Sequence, residues 1–239
     1  MITVERLPRW HYDEMKPVGV DYSEISEVRS YDTRMSRIRD VKKECEVIID
    51  TLNLPSSSSI LEIGTGTGAF AIEAARRFGR VIAVDVSPAM LEFARSRARE
   101  ENIKNIEFHQ AGFLTFRSPG LLFNAVVSQI ALHHLPDFWK LIALKRIHRM
   151  LKPGGKLYLR DIVFSFDIES YQVFFDRWVE ELKRAAGEEI ARDTETSIRD
   201  EFYTLDWIME GLLTRAGFAI KSTEYTDGFM AVYLCEKQP

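Results

Sequence analysis

Apolar positions along this chain fall into two rhythms that take turns. Short apolar runs at Ile60–Ile63, Val81–Val84 and Ala125–Ser128 read as buried strands, and Ile106–Gln110 and Lys156–Phe164 read as two further strands. Between them apolar residues recur at helical spacing. Val41, Cys45, Ile48, Ile49 and Leu52 form one stripe, ending near Asn53-Leu54-Pro55. Leu91, Ala94 and Ala98 form a second, opened by Ser87 as N-cap and Pro88 at the first helical position. Leu144, Ile147 and Leu151 form a third, starting at Asp137 and stopped by Lys152-Pro153-Gly154-Gly155. Strand–helix alternation of this kind predicts an α/β fold with a parallel sheet, right-handed crossovers and helices on both faces.

The rhythm changes after Phe164. Tyr171, Phe174, Phe175, Trp178, Val179 and Leu182 make a strongly apolar helical stripe, followed by a charged stretch from Arg184 to Asp200. This reads as a helical insertion over about 165–203, packed over the rim of the sheet, the stripe serving as core in preference to an acceptor cage. A helix over Thr204–Ala216 closes at Gly217, and Phe218–Thr226 and Phe229–Glu236 flank Asp227-Gly228, a hairpin signal. Residues 1–30 are polar and aromatic without periodicity.

The stretch Ile60–Ala75, ILEIGTGTGAFAIEAA, carries the chemistry. A strand runs into glycines at 64, 66 and 68 and then into a helix. Glycines allow positive φ and close approach of the backbone to a ligand, and the incoming helix offers free N–H groups. Strand, glycine loop and helix together form a nucleotide-binding device. Gly64-x-Gly66-x-x-Ala69 with Asp85 downstream also fits a dinucleotide fingerprint, so an NAD(P)-dependent oxidoreductase is one reading. In such sheets the ligand sits beyond the carboxyl ends of the strands, a rim that collects Gly64–Gly68, Asp85, Gly112-Phe113, Gln129 and Asp161.

Composition narrows the setting. The chain has 239 residues, and a 46% apolar share with 15 Phe supplies a substantial core. A net charge of −4 argues against a nucleic-acid partner, which usually leaves a basic footprint. Cys45 and Cys235 lack metal-ligand spacing and read as small core hydrophobes. No signal-like or membrane-length apolar run occurs, which sets the expectation of a cytoplasmic protein, monomer or homodimer, with no membrane association.

Glu62 stands two residues before the first glycine, and E-x-G-x-G-x-G resembles motif I of the class I S-adenosylmethionine-dependent methyltransferases. Val81–Asp85 is similar to their acidic motif II. Leu132-His133-His134-Leu135 and Met150–Gly155 resemble their signatures after strand 4 and before strand 5. The likeness covers roughly residues 31–236 apart from the insertion. It implies a single Rossmann-like three-layer sandwich over 1–239, with an N-terminal helical cap over 1–55 and a mostly parallel seven-stranded sheet ending in an antiparallel C-terminal hairpin strand. It also implies a methyltransferase using S-adenosylmethionine and releasing S-adenosylhomocysteine. By that resemblance Gly64, Thr65, Gly66 and Gly68 approach the methionine moiety, and Glu62 supports the loop and the ammonium. Asp85 accepts both ribose hydroxyls, Val86 lies under the adenine, and Gln129 belongs to the same rim. Tyr31 is the candidate lid residue. The family usually carries an Asp after strand 3 that accepts from the adenine amino group; Gly112 stands there, leaving Phe113 to contribute its backbone N–H and ring.

Methyl transfer from a sulfonium is an in-line displacement that works mainly by alignment and exclusion of water. A base is required only where the acceptor must lose a proton. His134 and Asp161 are the ionisable candidates. A metal on His133 and His134 is not expected, since neighbours in sequence rarely converge on one ion and no third ligand is evident. Neither the Asn/Asp-Pro-Pro-aromatic signature nor a Pro-Cys pair is present, which favours a small, partly apolar acceptor and leaves tRNA or protein open as alternatives. A non-catalytic S-adenosylmethionine-binding protein is the other alternative.

Overall fold

The computed structural model describes residues 8–19, 40–118 and 120–238. Tyr31 lies outside the described residues. Of the expected N-terminal cap, residues 8–19 run through turns without a helix, and helix α1 spans Val41–Leu52. Asp40 opens α1 by accepting from the Lys43 N–H at 3.1 Å, and Asn53 ends it in the left-handed conformation.

The alternation then unfolds as β1 (Ser59–Ile63), α2 (Ala69–Arg77), β2 (Arg80–Asp85), α3 (Pro88–Glu100), β3 (Ile106–Gln110), β4 (Phe123–Gln129), α4 (Asp137–Met150) and β5 (Leu151–Phe164). Helices α5 (Tyr171–Ala186) and α6 (Glu188–Asp200) follow, then β6 (Thr204–Leu205), α7 (Asp206–Ala216), β7 (Phe218–Thr226) and β8 (Met230–Lys237). The sheet order is β3-β2-β1-β4-β5-β8-β7, with β6 paired to β5 off that path. Strand β8 runs antiparallel to both β5 and β7, and the pairings among β1–β6 are parallel. The fold is the expected Rossmann-like α/β sheet.

Two details differ from expectation. Thr204 and Leu205 add a short eighth strand before α7, too brief to leave a period in the sequence. The Lys152–Gly155 stretch belongs to β5, because α4 ends at Met150 and passes directly into extended backbone.

Strand pleating divides the core cleanly. Ile60, Val81, Ala83, Ala125 and Val127 pack with Cys45, Ile48, Leu52, Phe70 and Ala74 on one face. Leu61, Ile63, Ile82, Val84 and Val126 pack with Leu144, Ile147, Met209 and Leu213 on the other. Burial on both faces is why these strands read as continuous apolar runs. Helix α5 forms a separate cluster in which Phe174 and Trp178 bury against Ile162, with Phe166 stacked on Phe174 at 3.8 Å and Trp178 on Phe229 at 4.2 Å. Phe174 and Trp178 of the aromatic stripe are core, whereas Tyr171 at its start is exposed. Asn124 sits at the far end of the sheet from the glycine loop, where its carbonyl accepts from the Ser59 N–H at 3.0 Å and Lys152 Nζ at 2.8 Å.

Candidate cofactor and active site

The sheet order reverses between β1 and β4, and a crevice must open there at the carboxyl ends of the strands. A cavity of about 310 Å³ occupies that place. Glu62, Gly64, Thr65, Gly66, Asp85, Val86, Gly112, Phe113, Gln129 and His134 all line it.

The glycine loop is held from below. The Gly64 and Thr65 N–H groups donate to the Val84 carbonyl at 2.8 and 3.0 Å, tying the loop to the end of β2. Gly64 has φ of +81°, and a Cβ there would stand 2.4 Å from the Ala131 Cβ, so no side chain fits. Gly66, at φ +53°, differs: an added Cβ would meet nothing within 4 Å, because that face of the loop looks into the cavity. This is a cradle that a side chain would fill.

Asp85 completes the floor. One carboxylate oxygen accepts from the Gly66 N–H at 2.8 Å and the other from the Ser87 N–H at 2.9 Å. Burial raises its pKa, against the lowering effect of those backbone donors. A carboxylate with one oxygen on each side of this floor is the acceptor pair that suits a vicinal diol. Glu62 lies deeper, at 3% exposure, and accepts from the Thr65 hydroxyl at 2.6 Å. Burial pushes its pKa up to about 8, so it is largely neutral at pH 7 and buttresses the loop as an acid.

The structure separates the two catalytic candidates. His134 stands on the cavity wall, with Nδ1 4.0 Å from Glu201 Oε1. Desolvation and then the charge of His133 push its pKa down to about 4, leaving an uncharged imidazole. Asp161 has no exposed surface and does not line the cavity. Its carboxylate accepts from the His133 backbone N–H at 3.0 Å, from the His133 ring and from the Ile162 N–H at 2.8 Å. Asp161 holds His133 in place from outside the cavity lining.

Several residues of the cavity and its surroundings carried no sequence signal. Glu201 brings a third group to His133 and His134, with ligand atoms within 4.8 Å of one another, correcting the expectation that no third ligand exists. Both ring nitrogens of His133 already face carboxylates, Asp161 on one side and Glu201 at 3.3 Å on the other. Burial pulls the His133 pKa down, but these two carboxylates outweigh it and raise it to about 9. The arrangement is a buried imidazolium clamp. Glu14 and Glu44 also line the cavity, Glu44 paired with Arg160 at 2.8 Å. Ile130, at φ +50°, is a β-branched residue in left-handed backbone on the cavity wall, a strained position of the kind that accompanies function.

A Rossmann-like sheet with this glycine loop and a buried acid at the end of β2 defines a nucleoside-cofactor enzyme of the class I methyltransferase type. The comparisons carry that further. The profile of the family described as "Methyltransferase domain" matches residues 60–155. The uncharacterised methyltransferase YrrT of Bacillus subtilis is 31% identical over 181 residues, spanning 75% of this chain and 78% of that protein. Among solved structures, an S-adenosylmethionine-dependent methyltransferase from Clostridium acetobutylicum superposes with TM-score 0.68 at 13% identity, covering 90% of this chain and 98% of that one. Magnesium protoporphyrin IX methyltransferase from Synechocystis with bound S-adenosylmethionine gives TM-score 0.57 at 13% identity, covering 94% and 88%. The chain belongs to the class I S-adenosylmethionine-dependent methyltransferase family, whose cofactor is S-adenosylmethionine. Among the described residues, no helix is long and apolar enough to cross a membrane.

Proposed function

We propose that this protein transfers a methyl group from S-adenosylmethionine to a small-molecule acceptor by in-line displacement. The carrying observation is the acidic character of the cavity wall: Glu14 and Asp85, with Glu44 paired to Arg160 and the neutral acid Glu62, converge on one cavity beside a glycine cradle. A cofactor bearing a sulfonium and an ammonium suits such a wall, whereas a pyrophosphate would meet like charge. When bound, the cofactor supplies an electrophilic methyl on sulfur.

The residues divide the remaining work. Asp85 accepts the ribose hydroxyls, and Gly64–Gly68 let backbone reach the methionine portion. The Glu14–Val18 segment and Leu135 line the cavity and exclude water. His134 orients the acceptor through a neutral ring nitrogen. A pKa near 4 makes it a weak base, so alignment carries more of the catalysis than proton removal. A cavity of about 310 Å³ shared with the cofactor suits a small acceptor, and the net charge of −4 supports the same choice.

The test uses methyl-labelled S-adenosylmethionine with a cell extract separated by size into low-molecular-mass and macromolecular fractions. Label passing into the small-molecule fraction is expected. Label passing only into protein or RNA would overturn the small-molecule acceptor.

A further inference from the structure

With Asp85 holding the ribose, as proposed above, the base of the cofactor extends toward the end of β3. The wall there is formed by Val86, Met90, Ala111 and Phe113, apolar surfaces suited to a flat heteroaromatic ring. One carboxylate stands among them, and it comes from far away in sequence. Glu14 is 9% exposed and hydrogen-bonds the turn that follows β3. Its Oε1 accepts from the Leu114 N–H at 2.9 Å, the Thr115 N–H at 2.7 Å and the Thr115 hydroxyl at 2.8 Å. Its Oε2 shares only the Leu114 N–H, at 3.0 Å, among the described residues.

Gly112 explains how the carboxylate fits. A Cβ on Gly112 would lie 2.5 Å from Glu14 Cδ and Oε2 and 2.8 Å from Oε1. Glu14 therefore occupies the volume that an acidic side chain at 112 would fill, and the two cannot coexist without displacement. The geometry points to Glu14 as the group that reads the exocyclic amine of the cofactor's base, which makes the N-terminal segment part of the cofactor site. A carboxylate is an acceptor only, so it welcomes an amine and repels an oxo group at that position. The backbone donors from Leu114 and Thr115 fix its direction before any ligand arrives, which limits the ordering cost of binding.

The experiment compares binding of S-adenosylhomocysteine and its deaminated analogue S-inosylhomocysteine, in which an oxo group replaces the amine. The wild type is expected to favour the amine by roughly tenfold to a hundredfold, the value of a hydrogen bond to a charged group. In Glu14→Gln, whose amide can turn a donor toward the oxo group, the ratio should fall toward one. In the double variant Glu14→Ala with Gly112→Asp the carboxylate returns from the β3 side, and the preference for the amine should return with it. The ratio is taken within each variant, so any loss of folded protein cancels. A wild-type ratio near one, or an unchanged ratio in Glu14→Gln, would overturn the role of Glu14 while leaving the cofactor reading intact. Failure of the wild type to bind S-adenosylhomocysteine would overturn both.

Discussion

Asp85 and His133 show how burial gives two charged groups opposite tasks. Asp85 is held by backbone N–H groups from both sides of the cavity floor and faces the ligand. Replacing it by Ala removes two charge-assisted acceptors, and S-adenosylmethionine affinity should fall about a hundredfold, some 3 kcal/mol. His133 is enclosed by Asp161 and Glu201, behind the His134 ring that lines the cavity. Its folded pKa of about 9 lies above the unfolded value near 6.5. The stabilisation is therefore fully present below about pH 6.5 and is lost as pH rises through 9. Burial pushes the Asp161 carboxyl up, but the His133 charge together with the hydrogen bonds from His133 and the Ile162 N–H outweighs it and holds the group below the usual carboxylate range, so its share is lost at the acid end instead. Urea unfolding of the wild type should show stability declining between pH 6.5 and 9. In His133→Gln that slope should flatten, and a slope equal to the wild type's would refute the clamp.

At the scale of elements, the glycine loop and the α5 cluster serve different ends. Gly64 and Gly66 look alike in sequence, but their environments predict opposite phenotypes. Gly64→Ala drives a Cβ into Ala131 and should cost stability, with a lowered thermal midpoint. Gly66→Ala meets only cavity space, so it should fold with the modest cost of a left-handed Ala, about 1–2 kcal/mol, while losing most cofactor binding. Calorimetry on both variants separates the two effects. Trp178→Ala should destabilise the fold by about 3–5 kcal/mol through the lost Phe229 stack. Cofactor affinity of the folded fraction should stay within twofold, because no α5 residue lines the cavity. The parallel strands and their helices were legible in the sequence because each obeys a local rule, whether an apolar run, a cap or a glycine stop. Strand β6 was not, since two residues at Thr204 and Leu205 carry no period.

Across the whole molecule, what could be read from sequence was whatever lies close together along the chain. Glu62, Gly64, Thr65, Gly66 and Asp85 fall within one strand–helix–strand unit, and their places on the cavity follow from the parallel-sheet rule, whereas Gly68 turns away to cap α2 against Ala94. Glu14 meets Leu114 across about a hundred positions, and Glu201 reaches His133 from the end of α6. Neither contact has a local signature; the lone hint was the missing acid at Gly112. The same distance-blindness placed Asp161 among the catalytic candidates, because the end of β5 was known but the His133 ring covering it was not. What binds these parts into one account is the cavity at the β1/β4 reversal, where Glu14, Glu44, Glu62, Asp85 and the glycine cradle meet. The most direct measurement of that claim is calorimetric titration of the full chain with S-adenosylmethionine, S-adenosylhomocysteine and NADH, repeated on Asp85→Ala. The account predicts that both sulfur compounds bind, that NADH does not, and that Asp85→Ala abolishes or greatly weakens the first two. Binding of NADH alone, or sulfur-compound binding indifferent to Asp85, would contradict it.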